Sequence, residues 1–273
     1  MKSGCKLGFI GGGNMAQALI IGLKNQHFVM SDITVIELEA NKCIELNKKY
    51  GVVTSNELNQ IKKCNVIVLA IKPQHLPALA TTLGSLLSNQ LVISIAAGIR
   101  LTDLSRWLGG YHNIIRAMPN TPAQIQAGIT GLYALPSVSA QEITAADQIL
   151  SAVGATLWLD AEEKLDAITA ISGSGPAYVF YFIEALHEAA LKLGLNEVQA
   201  KALSIATFKG ASLLADTSST PIATLREQVT SKGGTTEQGL FSLEQSQVKQ
   251  AIALAVEKAS TRAKSLGDEL GQH

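Results

Sequence analysis

A short aliphatic run ending at Ile10 passes directly into Gly11-Gly12-Gly13-Asn14-Met15-Ala16, and this junction constrains the fold more than any other part of the chain. An apolar run of this length reads as a buried strand, and residues 15–23 that follow the glycines carry helical spacing. Strand, glycine turn and helix in that order open a βαβ unit, the building block of a parallel sheet covered by helices. Within Gly11-x-Gly13-x-x-Ala16, Gly11 permits the tight turn, Gly13 lets the backbone approach a pyrophosphate, and Ala16 keeps the helix close to the sheet. Asn14 and Met15 at the start of that helix complete the candidate cofactor-binding turn.

Up to about Asp160 the same alternation continues. Strands are predicted at 6–10, 33–37, 66–71, 91–96, 114–117, 129–134 and 156–159, with helical stretches between them. Glu37 ends the second strand about twenty positions beyond Ala16, where an acidic side chain receives the ribose hydroxyls of a dinucleotide. A carboxylate there repels a 2′-phosphate, so charge alone favours NADH over NADPH, although nearby Lys42 could rescue phosphate binding. In such sheets ligands bind at the carboxyl ends of the strands. Ala70 near the end of the third predicted strand, Lys72 and Pro73 after it, Ala96-Ala97-Gly98 after the fourth and Asn120 after the fifth would therefore line the nicotinamide side of the cleft. Asn120 reads equally as a structural residue in a turn between prolines.

Beyond Asp160 the strand signal ends and helical periodicity takes over, giving domains at 1–160 and 161–273. Val179, Phe182, Ile183, Leu186, Ala190 and Leu193 share one helix face, with Ser174 as N-cap, Pro176 in the first turn and Gly194 as the stop. Ser172-Gly173-Ser174-Gly175-Pro176 either flanks the nicotinamide or is a glycine-kinked helix junction. Long apolar helices in a domain of this size point to a helical dimer interface. Between two helical patterns lies Val229-Thr230-Ser231-Lys232-Gly233-Gly234-Thr235-Thr236-Glu237-Gln238-Gly239, a cluster of backbone donors and hydroxyls suited to holding a small carboxylate.

Composition narrows the function classes. With 22 basic and 22 acidic residues in 273, no charge excess draws the chain to nucleic acid or an anionic membrane. No apolar stretch approaches bilayer length, and a secretion signal is not expected because the first apolar run begins the glycine motif. Cys5, Cys43 and Cys64 have no metal-type spacing and fit buried thiols in a reducing cytoplasm. No metal site is expected, and His27, His75, His112, His187 and His273 share no pattern.

These residues resemble one family, the pyrroline-5-carboxylate reductases, across nearly the whole chain. The resemblance rests on Ile10 to Ala16, on Ala70-Ile71-Lys72-Pro73-Gln74, on Arg116-Ala117-Met118-Pro119-Asn120-Thr121-Pro122, on Ile171-Ser172-Gly173-Ser174-Gly175-Pro176-Ala177-Tyr178, and most specifically on Val229 to Thr236. It implies an α/β chain, with an N-terminal Rossmann-like parallel-sheet domain and an all-helical C-terminal dimerisation domain. It also implies a homodimer through the C-terminal helices, an active site completed across the interface, and assembly that in many members reaches a decamer of five dimers. The implied reaction is NADPH- or NADH-dependent reduction of the C=N bond of 1-pyrroline-5-carboxylate to L-proline. By the same resemblance Thr236 hydrogen-bonds the ring nitrogen, Ser231, Gly233, Gly234 and Thr235 hold the substrate carboxylate, and Asn56 sits near the adenine. Glu37-Leu38-Glu39 departs from the small polar and basic residues of many members, which weakens the carry-over of NADPH use. Two rivals stand beside this reading. One is a related helical-tail dehydrogenase, for which Lys164 is the available general acid or base; the other is a dinucleotide sensor without turnover.

Overall fold

The computed structural model describes residues 4–272. Among them eight strands form one sheet: β1 Leu7–Ile10, β2 Ile33–Ile36, β3 Val53–Ser55, β4 Val66–Leu69, β5 Leu91–Ser94, β6 Ile114–Met118, β7 Gly128–Ala134 and β8 Gly154–Trp158. Their spatial order is β3-β2-β1-β4-β5-β6-β7-β8. The central strands β1, β4 and β5 are buried at every position, which is why they read as continuous apolar runs rather than as alternating ones. Side chains alternate between faces. Leu7 and Phe9 join one core cluster and Ile10 the other.

The helices that fill these two faces are α1 Asn14–Asn25, α2 Ala40–Tyr50, α3 Leu76–Gly84, α4 Leu101–Trp107 and α5 Ala140–Leu150. Leu19, Leu23, Leu46, Tyr50 and Ile149 supply α1, α2 and α5 to the first cluster. Leu76, Ala80, Leu83, Leu101 and Leu104 supply α3 and α4 to the second. A short helix α6, Lys164–Ile168, follows β8.

Two features of the sheet differ from the sequence expectation. β3 was not predicted; at three residues it is too short to carry a period. The sheet is also not wholly parallel, because β7 runs antiparallel to β6 while β8 is parallel to β7. The link between β6 and β7 holds a single 3-10 stretch, Thr121–Ile125, shorter than a parallel crossover requires.

The chain divides into two compact units: residues up to Ser174 together with those from Ala259 onward, and Gly175–Lys258. The second unit holds α7 Gly175–Lys192, α8 Glu197–Thr217, α9 Ile222–Gln228 and α10 Thr235–Gln245. The last helix, α11 Val248–Gly271, begins in the second unit and ends in the first. Within the second unit Phe182 of α7 stacks on Phe208 of α8 at 6.5 Å between ring centroids, and α8 opens on a reciprocal Asn196–Gln199 capping box. α7 stops as expected, with Gly194 donating its N–H to Leu191 O. Its start is different. Ser174 has helical backbone angles and donates to Thr169 O, so it is not an extended N-cap. The preceding π-turn, Thr169–Gly173, is the helix-junction form of the Ser172–Pro176 segment.

Candidate functional site: a glycine-lined cleft and a glycine–threonine turn

The sheet order reverses between β1 and β4, the position where open α/β sheets bind ligands. A cavity of about 590 Å³ opens there, lined by Gly11, Gly12, Gly13, Glu37, Leu38, Lys42, Asn56, Ala70, Ile71 and Lys72 among others, within the size range of small-molecule sites. The cleft gathers predicted residues from the carboxyl ends of four strands. Gly11 is required as glycine: its φ is +96°, and a Cβ would sit 2.7 Å from Ala70 O. Gly13 differs, since a Cβ there would meet nothing nearer than Ala70 O at 4.0 Å, so the space before it is free to take a ligand.

α1 begins at this point with no side-chain cap and no acid in its first turn. The N–H groups of the first turn have no partner within the helix, and together with the helix dipole they favour an anion. Ala16 is fully buried against the sheet, Met15 is half-buried and Asn14 is exposed. This donor set fits a dinucleotide pyrophosphate.

Glu37 is held tightly at the other side of the cleft. Its carboxylate accepts from Gly12 N–H at 3.1 Å and Leu38 N–H at 2.9 Å, and pairs with Lys42 Nζ at 2.9 Å. Burial works to raise its pKa, but the Lys42 ammonium and the N–H groups of Gly12, Glu39 and Leu38 outweigh burial and hold it below the ordinary carboxylate range. Glu37 is therefore a fixed anion at neutral pH. Lys42 is already its partner. Leu38 is 82% exposed beside it, an apolar surface at the outer end of the cleft.

The remaining cofactor candidates sit on the same edge of the sheet but outside the lining of this cavity. Pro73 opens the 3-10 turn Pro73–His75 next to Lys72. Ala96, Ala97 and Gly98 follow β5, and the Cα of Gly98 faces Leu266, Gly267 and Leu270 of α11. Asn120 is buried, donates to Ser172 O at 3.1 Å and accepts from Ile129 N–H at 3.0 Å. Both ends of its amide therefore hold the loop after β6 in place.

In the second unit, Gly233 turns the chain with φ +75° and Gly234 is the extended N-cap of α10. Two of the donors expected to hold a carboxylate are engaged by the protein: Gly233 N–H donates to Glu237 Oε2 at 2.7 Å, and Gly234 N–H to Ser231 O at 3.0 Å. Glu237 lies one turn inside the helix and reaches back, as first-turn acids do. The first helical bond of α10 runs from Gln238 N–H to Gly234 O. Anion-holding capacity thus falls on the first-turn N–H groups and hydroxyls of Thr235 and Thr236, both exposed, and on the Ser231 hydroxyl beside Gly234.

Sequence reasoning also missed a buried ion pair. Arg116 of β6 lies 2.9 Å from Glu162 and 3.8 Å from Asp166, and Glu162 accepts in turn from Leu101 N–H at 2.8 Å. The available signal was an arginine in the middle of an apolar strand. Lys164 instead pairs with Asp160 on the surface, a poor setting for a general acid. Among the described residues no His, Cys, Asp or Glu cluster could hold a metal ion, and no helix is long and apolar enough to cross a membrane.

Strand order, cleft and uncapped helix together define a Rossmann-type dinucleotide-binding protein with an appended helical unit. Comparison with known proteins gives the family. The pyrroline-5-carboxylate reductase dimerisation model matches residues 162–266, and a model described as NADP oxidoreductase, coenzyme F420-dependent, matches residues 6–98. A pyrroline-5-carboxylate reductase of Pseudomonas aeruginosa is 40% identical over 98% of each chain. The solved pyrroline-5-carboxylate reductase of Coxiella burnetii superposes with a TM-score of 0.92 at 38% identity, covering 96% of this chain and 98% of that one. The solved pyrroline carboxylate reductase of Plasmodium falciparum, with NADP bound, gives 0.87 at 30% identity, covering 97% of this chain and 98% of that one. The chain belongs to the pyrroline-5-carboxylate reductase family.

Proposed function

We propose that this chain reduces the C=N bond of 1-pyrroline-5-carboxylate to give L-proline, the last step of proline biosynthesis, in the cytoplasm. The observation that carries this reading is the full-length likeness to reductases of that name, on a chain whose cleft fits a dinucleotide. We assign residues 1–160 to dinucleotide binding and 161–273 to dimerisation and substrate binding.

Gly11, Gly13, Asn14, Met15 and Ala16 cradle the pyrophosphate, Glu37 receives the ribose hydroxyls, and Asn56 lies toward the adenine. Ala70, Lys72, Pro73, Ala96, Ala97 and Gly98 border the nicotinamide, with Asn120 fixing the loop after β6. The fixed Glu37 anion, its lysine already engaged, favours NADH, because a 2′-phosphate would meet a carboxylate. When bound, the reduced nicotinamide supplies the hydride that the imine carbon accepts. The chain's own residues have a positioning task. Thr235 and Thr236 N–H groups and the Ser231 hydroxyl hold the substrate carboxylate on a turn shaped by Gly233 and Gly234, and the Thr236 hydroxyl hydrogen-bonds the ring nitrogen.

The same reading makes the protein a homodimer through its C-terminal helices, with the active site completed across the interface and five dimers forming a decamer. Support comes from the large apolar side chains exposed on α7 and α8, such as Phe180 at 65%, Tyr181 at 70% and Leu214 at 57%.

Thr236→Ala tests the assignment. We expect kcat on 1-pyrroline-5-carboxylate to fall by about 10²-fold, a typical loss for a positioned proton-handling group, with the dissociation constant for NADH unchanged. Unchanged kcat and KM would remove Thr236 from the chemistry.

A further inference from the structure

The end of α11 is packed against the loop after β5 with unusual closeness. Gly98 in that loop has φ +77°. A Cβ on Gly267 would lie 3.1 Å from Gly98 O and 3.2 Å from Arg100 Nε, and one on Gly98 would lie 3.4 Å from Leu266 Cβ. Two glycines 169 residues apart thus bring a helix and a loop into backbone contact. A side chain beside it fastens the contact: Arg100, the residue before α4, donates to Asp268 Oδ1 at 2.6 Å and to Lys264 O at 3.4 Å. Gly267 is buried, and Leu270 packs on the core cluster that contains Ile99, Leu101 and Leu104.

The exposed Arg100–Asp268 pair contributes little by itself, since solvent screens it and two long side chains must be ordered. The glycine contact is the stiffer element, because buried backbone in van der Waals contact cannot yield without moving helix or loop.

We propose that the turn of α11 around Gly267 forms a clamp that fixes the Ala96-Ala97-Gly98 loop for the nicotinamide, with Gly267 as the positioning residue. This inference rests on the reading above that the loop borders the nicotinamide. In it Gly267 touches neither cofactor nor substrate, and acts through Gly98.

The test uses the full-length protein with three substitutions. Gly267→Val pushes on Gly98 O. Gly271→Ala makes a comparable intrusion one turn further along, where a Cβ would sit 2.5 Å from the Asp103 carboxylate and not against the loop. Ala97→Leu perturbs the loop directly. The readouts are the dissociation constant for NADH by calorimetry, hydrogen exchange of residues 96–98, steady-state kinetics, and oligomer size by light scattering.

We expect Gly267→Val to weaken NADH binding roughly tenfold, within the range known for ångström-scale misplacement, and to speed exchange of the loop with the oligomer intact. Gly271→Ala should leave NADH binding within about twofold. Should Gly267→Val fail to fold, Gly267→Ala, whose neighbours need yield only slightly, should still weaken binding roughly threefold. Unchanged NADH binding and exchange in a folded Gly267 variant, or an equal loss in Gly271→Ala, would overturn the clamp. If Ala97→Leu leaves NADH binding untouched, the fault lies with the placement of the loop at the nicotinamide. If Ala97→Leu weakens binding while Gly267→Val does not, the clamp alone fails.

Discussion

The two compact units solve the burial problem in opposite ways. The sheet unit hides its apolar side chains within itself: Leu7, Phe9, Ile33, Val68, Ile93 and Ile115 are all fully buried. In the helical unit, among the described residues, Ala200 and Ser204 alone are buried, while Leu, Phe and Tyr side chains stand exposed along α7 and α8. A unit with so little interior lacks the main favourable contribution to folding. The sheet unit is self-sufficient, whereas the helical unit requires apolar surface supplied from elsewhere, which suits a dimerisation domain.

The strongest attack on this contrast is on the helical side. Leu213→Glu with Leu214→Glu places two charges on exposed apolar positions of α8. We expect it to cost at least about 3 kcal/mol per protomer of association free energy. Light scattering should show loss of the oligomer, and circular dichroism should show loss of helix. An intact oligomer would mean that these leucines face solvent in the assembly.

On the sheet side, Gly11→Val combines a positive φ with a Cβ placed against Ala70 O. We expect a loss of about 2–4 kcal/mol in stability from strain and overpacking, read in denaturant unfolding, together with loss of dinucleotide binding. The oligomer should survive at low temperature, which separates the two units experimentally.

A smaller effect is expected at Glu37. Glu37→Ser removes the anion that opposes a 2′-phosphate and frees Lys42, so the ratio of kcat/KM for NADPH to that for NADH should rise by about tenfold, or about 1.4 kcal/mol. The pH dependence has a definite sign. A carboxyl whose pKa is lowered on folding stabilises the protein above its unfolded value, and that contribution is lost as pH falls through the folded value. Glu37→Gln should therefore flatten the acid limb of the stability profile.

The smallest effect concerns Cys64. Burial pushes its thiol up to about 11, so the native state keeps it protonated. Its contribution is complete below the ordinary thiol value and lost as pH rises from there toward about 11. At pH 8 we expect thiol reagents to label Cys64 far more slowly than half-buried Cys43; equal labelling would place Cys64 nearer solvent.

Much of the sheet unit was legible in the sequence because its information is local. Strand, glycine turn and helix lie within 20 residues, and the buried strands announce themselves as apolar runs. What stayed hidden depends on pairs far apart in the chain or on what a side chain meets nearby. Arg116 and Glu162 are 46 residues apart, and neither residue type specifies the other. The antiparallel turn into β7 follows from the length of a connection rather than from the strand itself. At 233–236 the glycines and threonines mark an anion-binding turn, but that Glu237 already occupies Gly233 N–H required coordinates. Ser174 read as a cap because of Pro176, whereas the chain is already helical through a π-turn before it.

The most direct test of the proposed imine reduction is the initial rate with 1-pyrroline-5-carboxylate, following loss of reduced-nicotinamide absorbance with NADH and NADPH in parallel. Turnover with formation of L-proline, faster with NADH, is the predicted result. Protein that binds either dinucleotide but turns over neither would contradict it, and would leave a sensor or a different dehydrogenase in its place.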